Sequence, residues 1–116
     1  MHHFRQLQIW KEGMGMTKQI YLLLAKFPSS EKFGLISQIS RCAVSVPSNI
    51  AEGSSRSSDK EFAHFLSIAL GSLFELETQL LLAIELEIIN RNEMDPIIES
   101  IIQLQKKISA FKKTLK

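Results

Sequence analysis

Apolar residues recur along this chain at intervals of three and four, in four separate stretches. In the first, Leu7, Trp10, Met14, Thr17, Tyr21 and Leu24 keep that spacing. Residues three and four apart lie one above the other on an α-helix, so these predict one helical side, with Trp10 and Tyr21 read as packing residues. Gly13 and Gly15 interrupt the stretch, each costing about 1 kcal/mol relative to alanine, so the element leans on its neighbours. Phe27-Pro28-Ser29-Ser30 closes it: proline disfavours α geometry in the residue before it, and either serine can cap the next helix.

The second stretch sets Leu35, Ile39, Cys42, Ala43, Val46 and Ile50 against Ser37, Gln38, Arg41, Ser45, Asn49 and Glu52. At about 100° per residue the polar set forms one stripe. Pro47 lies inside this helix, where its missing N–H and its ring predict a kink, the alternative being a break. After Ser54-Ser55-Arg56-Ser57-Ser58, the pair Ser58 and Glu61 has capping-box spacing and opens a third helix. Phe62, Leu66, Ala69, Leu73, Leu76, Leu80 and Ala83 alternate along it, while Leu70, Phe74, Leu81 and Ile88 form a second apolar row. A helix apolar on two sides is covered on two sides, which points to self-association. Asn92 or Asp95 is expected to cap the last helix, with Pro96 in its first turn and Met94, Ile97, Ile101, Leu104, Ile108, Phe111 and Leu115 as its apolar side. Helices at about 4–27, 31–54, 58–89 and 93–115, with no linker, predict one all-α domain over 1–116: an up-down-up-down four-helix bundle.

A chain of 116 residues buries roughly two-thirds of its unfolded surface, enough for one core. Its net charge of +2 does not by itself imply a polyanionic partner, so any basic surface must come from clustering. By segment, 1–56 carries seven Lys/Arg against three acids, 57–92 two against six, and 93–116 five against three. Cys42 is the sole cysteine, which excludes an internal disulfide and fits a reducing compartment. The N-terminal residues lack the apolar core of a signal peptide, and Leu73–Ile89 is interrupted by Glu75, Glu77, Glu85 and Glu87. These features predict a cytoplasmic protein with no membrane partner.

Phe27-Pro28, Glu31, Phe33-Gly34-Leu35, the run R-C-A-V-S-V-P-S-N-I-A-E-G from Arg41 to Gly53, and Phe62 through Gly71-Ser72-Leu73 and Glu75-Leu76-Glu77 resemble the proteins encoded by intervening sequences of bacterial 23S ribosomal RNA genes. The resemblance covers nearly the whole chain. It implies a four-helix subunit, assembly into a ring-like homopentamer, and RNA or DNA binding. The accessory protein of diversity-generating retroelements is similar in fold, and that likeness implies contact with nucleic acid and a partner protein through a basic barrel surface. The near-neutral charge here departs from a strongly basic member.

Several side chains stand out as candidate sites. Lys106, Lys107, Lys112, Lys113 and Lys116 crowd the last helix, with Lys11, Lys18 and Lys26 along the first; they are either a solvated face or the electrostatic footprint of a nucleic acid. Arg41, Ser45, Asn49 and Glu52, facing His64, Ser72, Glu75 and Gln79 across the bundle, are expected to form a structural or interfacial polar network. Gly53 and Gly71 are expected where helices pack closely. Arg56, in its serine-rich connection, is expected to be solvated and to matter less for stability than Arg41. No metal-ligand spacing, phosphate loop or nucleophile elbow occurs, so neither a cofactor nor catalysis is expected. The sequence leads to a non-enzymatic oligomeric scaffold that binds nucleic acid through repeated basic side chains. The alternative is an adaptor that docks a partner protein.

Overall fold

Four periodic stretches become four α-helices: α1, Gln8–Leu24; α2, Leu35–Ser54; α3, Asp59–Glu85; and α4, Arg91–Lys113. The computed structural model describes residues 2–116, and no strand occurs among them. Neighbouring helices run antiparallel. Thr17 of α1 meets Ala43 of α2, Ser45 of α2 meets Ser72 of α3, Glu77 of α3 meets Gln105 of α4, and Lys107 of α4 returns to Glu12 of α1.

Local chemistry sets the helix ends. Ser58 Oγ accepts the Glu61 N–H at 3.1 Å, the expected cap of α3. The Glu61 carboxylate accepts from the Ser58 hydroxyl at 3.2 Å. Helix α2 begins only at Leu35, because Ser29–Glu31 folds as a tight 3-10 turn and Glu31 Oε1 accepts the Leu35 N–H at 3.4 Å. Helix α4 is capped by Asn90, whose Oδ1 accepts the Glu93 N–H at 2.9 Å. The cap is therefore neither Asn92 nor Asp95, and Pro96 sits in the second turn. Helix α3 stops at Glu85. Glu87 takes φ 60°, and the N–H groups of Ile88 and Glu87 return to the carbonyls of Ala83 and Ile84, both at 2.9 Å. That is a Schellman closure with glutamate where glycine is usual.

The core follows the expected alternation of α3: Phe62, Leu66, Ala69, Leu73, Leu76, Leu80 and Ala83 are all buried. Helix α1 differs. Its buried residues are Ile9, Gly13, Met16, Ile20, Leu23 and Leu24, while Met14 and Tyr21 are 48% and 51% exposed. Two apolar rows run side by side on this helix, and packing selects the row one position away from that containing Trp10 and Tyr21. Met16 and Ile20 are almost wholly buried. The second row is left on the outer side of the α1–α2 contact.

Pro47 does not break α2, which runs unbroken from Leu35 to Ser54. A proline cannot donate to the carbonyl four residues earlier, so the Ala43 carbonyl loses its intrahelical partner. The Thr17 hydroxyl of α1 supplies one, 3.1 Å from the Ala43 oxygen and 2.8 Å from the Gly13 oxygen, its single proton shared between them. A buried carbonyl left without a donor costs about 1–3 kcal/mol, so this contact joins the two helices at a defined level.

Thr17→Val should destabilise the protein by about 1–2 kcal/mol in urea melts. In a Pro47→Ala background the same substitution should cost less than half as much, since residue 47 then donates to Ala43. Additive effects of the two changes would contradict the assignment.

Candidate nucleic-acid interface

The antiparallel topology sorts charge along the bundle, which measures 44 × 23 × 20 Å. Thr17–Ala43 and Ser45–Ser72 lie at one level, and the Glu12–Lys107 pair, about a turn away, places α4 in the same register. On one side of that level lie residues 2–16, 45–72 and 102–116, with nine Lys/Arg against four Asp/Glu, net +5. The other half, 17–44 and 73–101, has five against eight, net −3. These two values add to the +2 of the chain.

Lys11, Lys106, Lys107, Lys112, Lys113 and Lys116 belong to the basic half. Lys18 and Lys26 belong to the other, which separates them from the expected group. Lys26 lies 3.6 Å from Glu93. Lys107 is held by both oxygens of Glu12, at 2.9 and 3.0 Å, so it offers less free charge than its neighbours. Arg5, Arg56 and Lys60 join the basic pole, and sequence reasoning missed them. Topology was the available signal: in an up-down-up-down bundle the start of α3 lies beside the end of α4. The Lys116 N–H does reach Asp59 Oδ2 at 3.2 Å.

The polar stripe of α2 contracts to a smaller cluster. Ser45 and Ser72 share a hydrogen bond of 2.8 Å between α2 and α3, and Asn49 Nδ2 donates to the Ser45 carbonyl and hydroxyl at 2.8 and 2.9 Å. Gln79 Nε2 donates to Gln38 at 3.5 Å. Arg41, Glu52, His64 and Glu75 are exposed and take no part in these bonds, so water solvates them. Glu75 acts on Cys42 instead. Burial pushes the Cys42 thiol above its ordinary range and the nearby Glu75 charge adds to the effect, which keeps the thiol protonated and unreactive.

Gly53 lies at a close crossing. A Cβ there would sit 2.6 Å from Phe65 Cβ and 2.9 Å from Phe62 Cδ1. Gly71 is different, since a Cβ there would meet nothing within 4 Å; within one chain it is no packing glycine. The absence of a side chain at Gly53 lets Phe65 settle against α2, and the Arg56 guanidinium then lies 4.7 Å from the Phe65 ring centroid. Arg56 also reaches Glu52 at 3.7 Å. It is half-buried whereas Arg41 is exposed, so Arg56 is not the fully solvated side chain expected of its connection.

Two apolar faces remain open on opposite sides of the bundle. Trp10, Met14 and Val44 line a groove of about 380 Å³ along α1 and α2 with Thr17 and Pro47, and the exposed Tyr21 belongs to the same row of α1. Phe74, 56% exposed, and Leu81 form the other. They share a stripe with Glu77, whose bond from Gln105 at 2.8 Å faces that stripe toward α4. An 18-residue window of α3 has mean hydropathy 1.4, long and apolar enough to cross a membrane by length and composition, and only 28% of it is buried inside the chain. No group of three or more His, Cys, Asp or Glu that could hold a metal occurs among the described residues.

The architecture is that of a small antiparallel helical bundle with polarised ends. The chain belongs to the 23S rRNA-intervening sequence protein family, whose profile matches residues 5–110. It is similar to the crystal structure of a protein of unknown function from the S23 ribosomal protein family of Bacteroides thetaiotaomicron. That likeness has 26% identity and a TM-score of 0.84, over 90% of this chain and 98% of that one. No curated protein matches the chain.

Gly53→Ala should lose about 1–3 kcal/mol through overpacking, whereas Gly71→Ala should be neutral or gain up to about 1 kcal/mol in helix propensity. Arg56→Ala should lose about 1 kcal/mol, from the Phe65 contact and its packed stem, while Arg41→Ala should stay within about 0.5 kcal/mol. Thermal or urea melts check both orderings.

Proposed function

We propose that this protein is a non-enzymatic cytoplasmic scaffold: a ring of identical subunits, five by family resemblance, that binds RNA or DNA along one rim. The observation that carries this reading is the axial segregation of charge, net +5 in one half and −3 in the other. A modest pole on one subunit becomes a strong field when symmetry repeats it.

Two opposed and dissimilar apolar faces support the ring. When one patch meets a different patch on the next copy, the contact is heterologous and generates a ring if the rotation closes. Both faces run along the helices, so neighbours pack side by side with their axes aligned and their basic ends on the same rim. A bend of α2 at Pro47 belongs to the same proposal, shaping the face that carries Trp10 and Val44. The acidic opposite pole favours a second reading, an adaptor that docks a basic partner protein without nucleic acid.

Light scattering should give a mass of several subunits. Phe74→Lys with Leu81→Lys should reduce it to one, with helicity by circular dichroism unchanged. Gly71→Leu should also lower the mass, because its side chain can collide only with another copy. A single-chain mass for the unaltered protein would remove the ring, and lipid-dependent solubility would assign α3 to a membrane. Labelled RNA should bind at low salt and lose affinity steeply between about 50 and 200 mM. Glu in place of Lys106, Lys107, Lys112 and Lys113 should weaken it more than about tenfold. Absent or salt-insensitive binding, with a protein partner retained from nuclease-treated lysate, would favour the adaptor.

A further inference from the structure

The basic pole contains a concave cleft of about 610 Å³, walled by Arg56, Lys60, His64, Phe65, Ser67 and Lys112 among others. It lies where the α2–α3 connection, the first turns of α3 and the last turn of α4 come together. Phe62 and Phe111, with ring centroids 5.6 Å apart, hold α3 and α4 at that end. The volume is in the range of small-ligand sites.

Three full positive charges, on Arg56, Lys60 and Lys112, line this cleft against a single wall carboxylate. Its one acidic wall residue, Glu61, is engaged at Oε1 by the hydroxyls of Ser57 and Ser58, at 3.4 and 3.2 Å. Among the described residues, no carboxylate lies within 4.0 Å of the side-chain nitrogens of Lys60, His64 or Lys112. Arg56 touches Glu52 through one terminal nitrogen at 3.7 Å, while its Nε is buried with no partner.

The arrangement selects among anions. Arg56 is poised over Phe65 at 4.7 Å, and Phe65 is itself pressed against Gly53, so the wall offers a positioned guanidinium and an aromatic ring beside two unpaired lysines. Unstacked bases are recognised on aromatic faces and guanidinium planes, with the backbone held by cations. A paired base in a duplex cannot enter such a pocket. We propose that this cleft seats one nucleotide of a single strand, its phosphate against Lys60 and Lys112 and its base against Arg56 and Phe65. The seat rests on the reading that the basic pole binds nucleic acid, and it adds strand type and position to that reading.

Fluorescence anisotropy at low salt, with a short oligouridylate and a duplex of equal length, tests it on the full chain. The single strand should bind more tightly than the duplex. Lys60→Gln with Lys112→Gln should weaken single-strand binding more than about tenfold, and clearly more than Lys106→Gln with Lys113→Gln, an equal loss of charge at the same pole. An oligonucleotide carrying 5-iodouridine should crosslink on irradiation to the peptide containing His64 and Phe65. Equal losses for the two pairs, equal affinity for the duplex, or crosslinks only elsewhere would overturn the seat and leave a diffuse basic surface standing. No binding of either nucleic acid by the unaltered protein would overturn both.

Discussion

The Ala43 carbonyl, released by Pro47 and satisfied by the Thr17 hydroxyl at 3.1 Å, governs how the first two helices meet. Helix α2 can contain proline only if the freed acceptor finds a donor elsewhere. The donor lies on α1, so the apposition of Thr17 and Ala43 fixes the rotation and height of α1 together. That rotation turns Met16 and Ile20 into the core and leaves Met14 and Tyr21 facing outward. An outer apolar face thus arises from the same requirement that keeps the polar backbone paired.

Register propagates from there. With Thr17 opposite Ala43, Ser45 opposite Ser72 and Glu12 opposite Lys107, the helices share one midpoint, and the residues on either side of it form the two ends. Charges scattered through three segments of the chain then separate into a basic and an acidic half. Nothing in local propensity required this. The cause is the up-down-up-down path, which brings the start of α3 and the end of α4 together and adds Arg56 and Lys60 to the lysines of the last helix.

At that basic end a glycine decides the geometry. Gly53 allows Phe65 to approach α2 to within the space a Cβ would occupy, and Phe65 in turn supports Arg56. A larger residue at position 53 would push the aromatic ring outward and remove the surface on which the guanidinium rests. Packing and charge are therefore coupled here, and the cleft belongs to the way α2 and α3 cross rather than to a loop.

Periodicity, caps and breakers made four helices and the buried row of α3 readable from the residues alone, because each depends on contacts within a few positions. Family membership was readable as well, in the run from Arg41 to Gly53 and its downstream partner around Gly71. The phase of α1 was not readable, since its two apolar rows are equally periodic and only the position of α2 chooses between them. Nor were the surroundings of Arg41 and Arg56: Arg56 rests on Phe65, while Arg41 is exposed. Local spacing determines which side of a helix is apolar; which apolar side is covered, and which charges become neighbours, depends on distances between segments that the chain brings together only on folding.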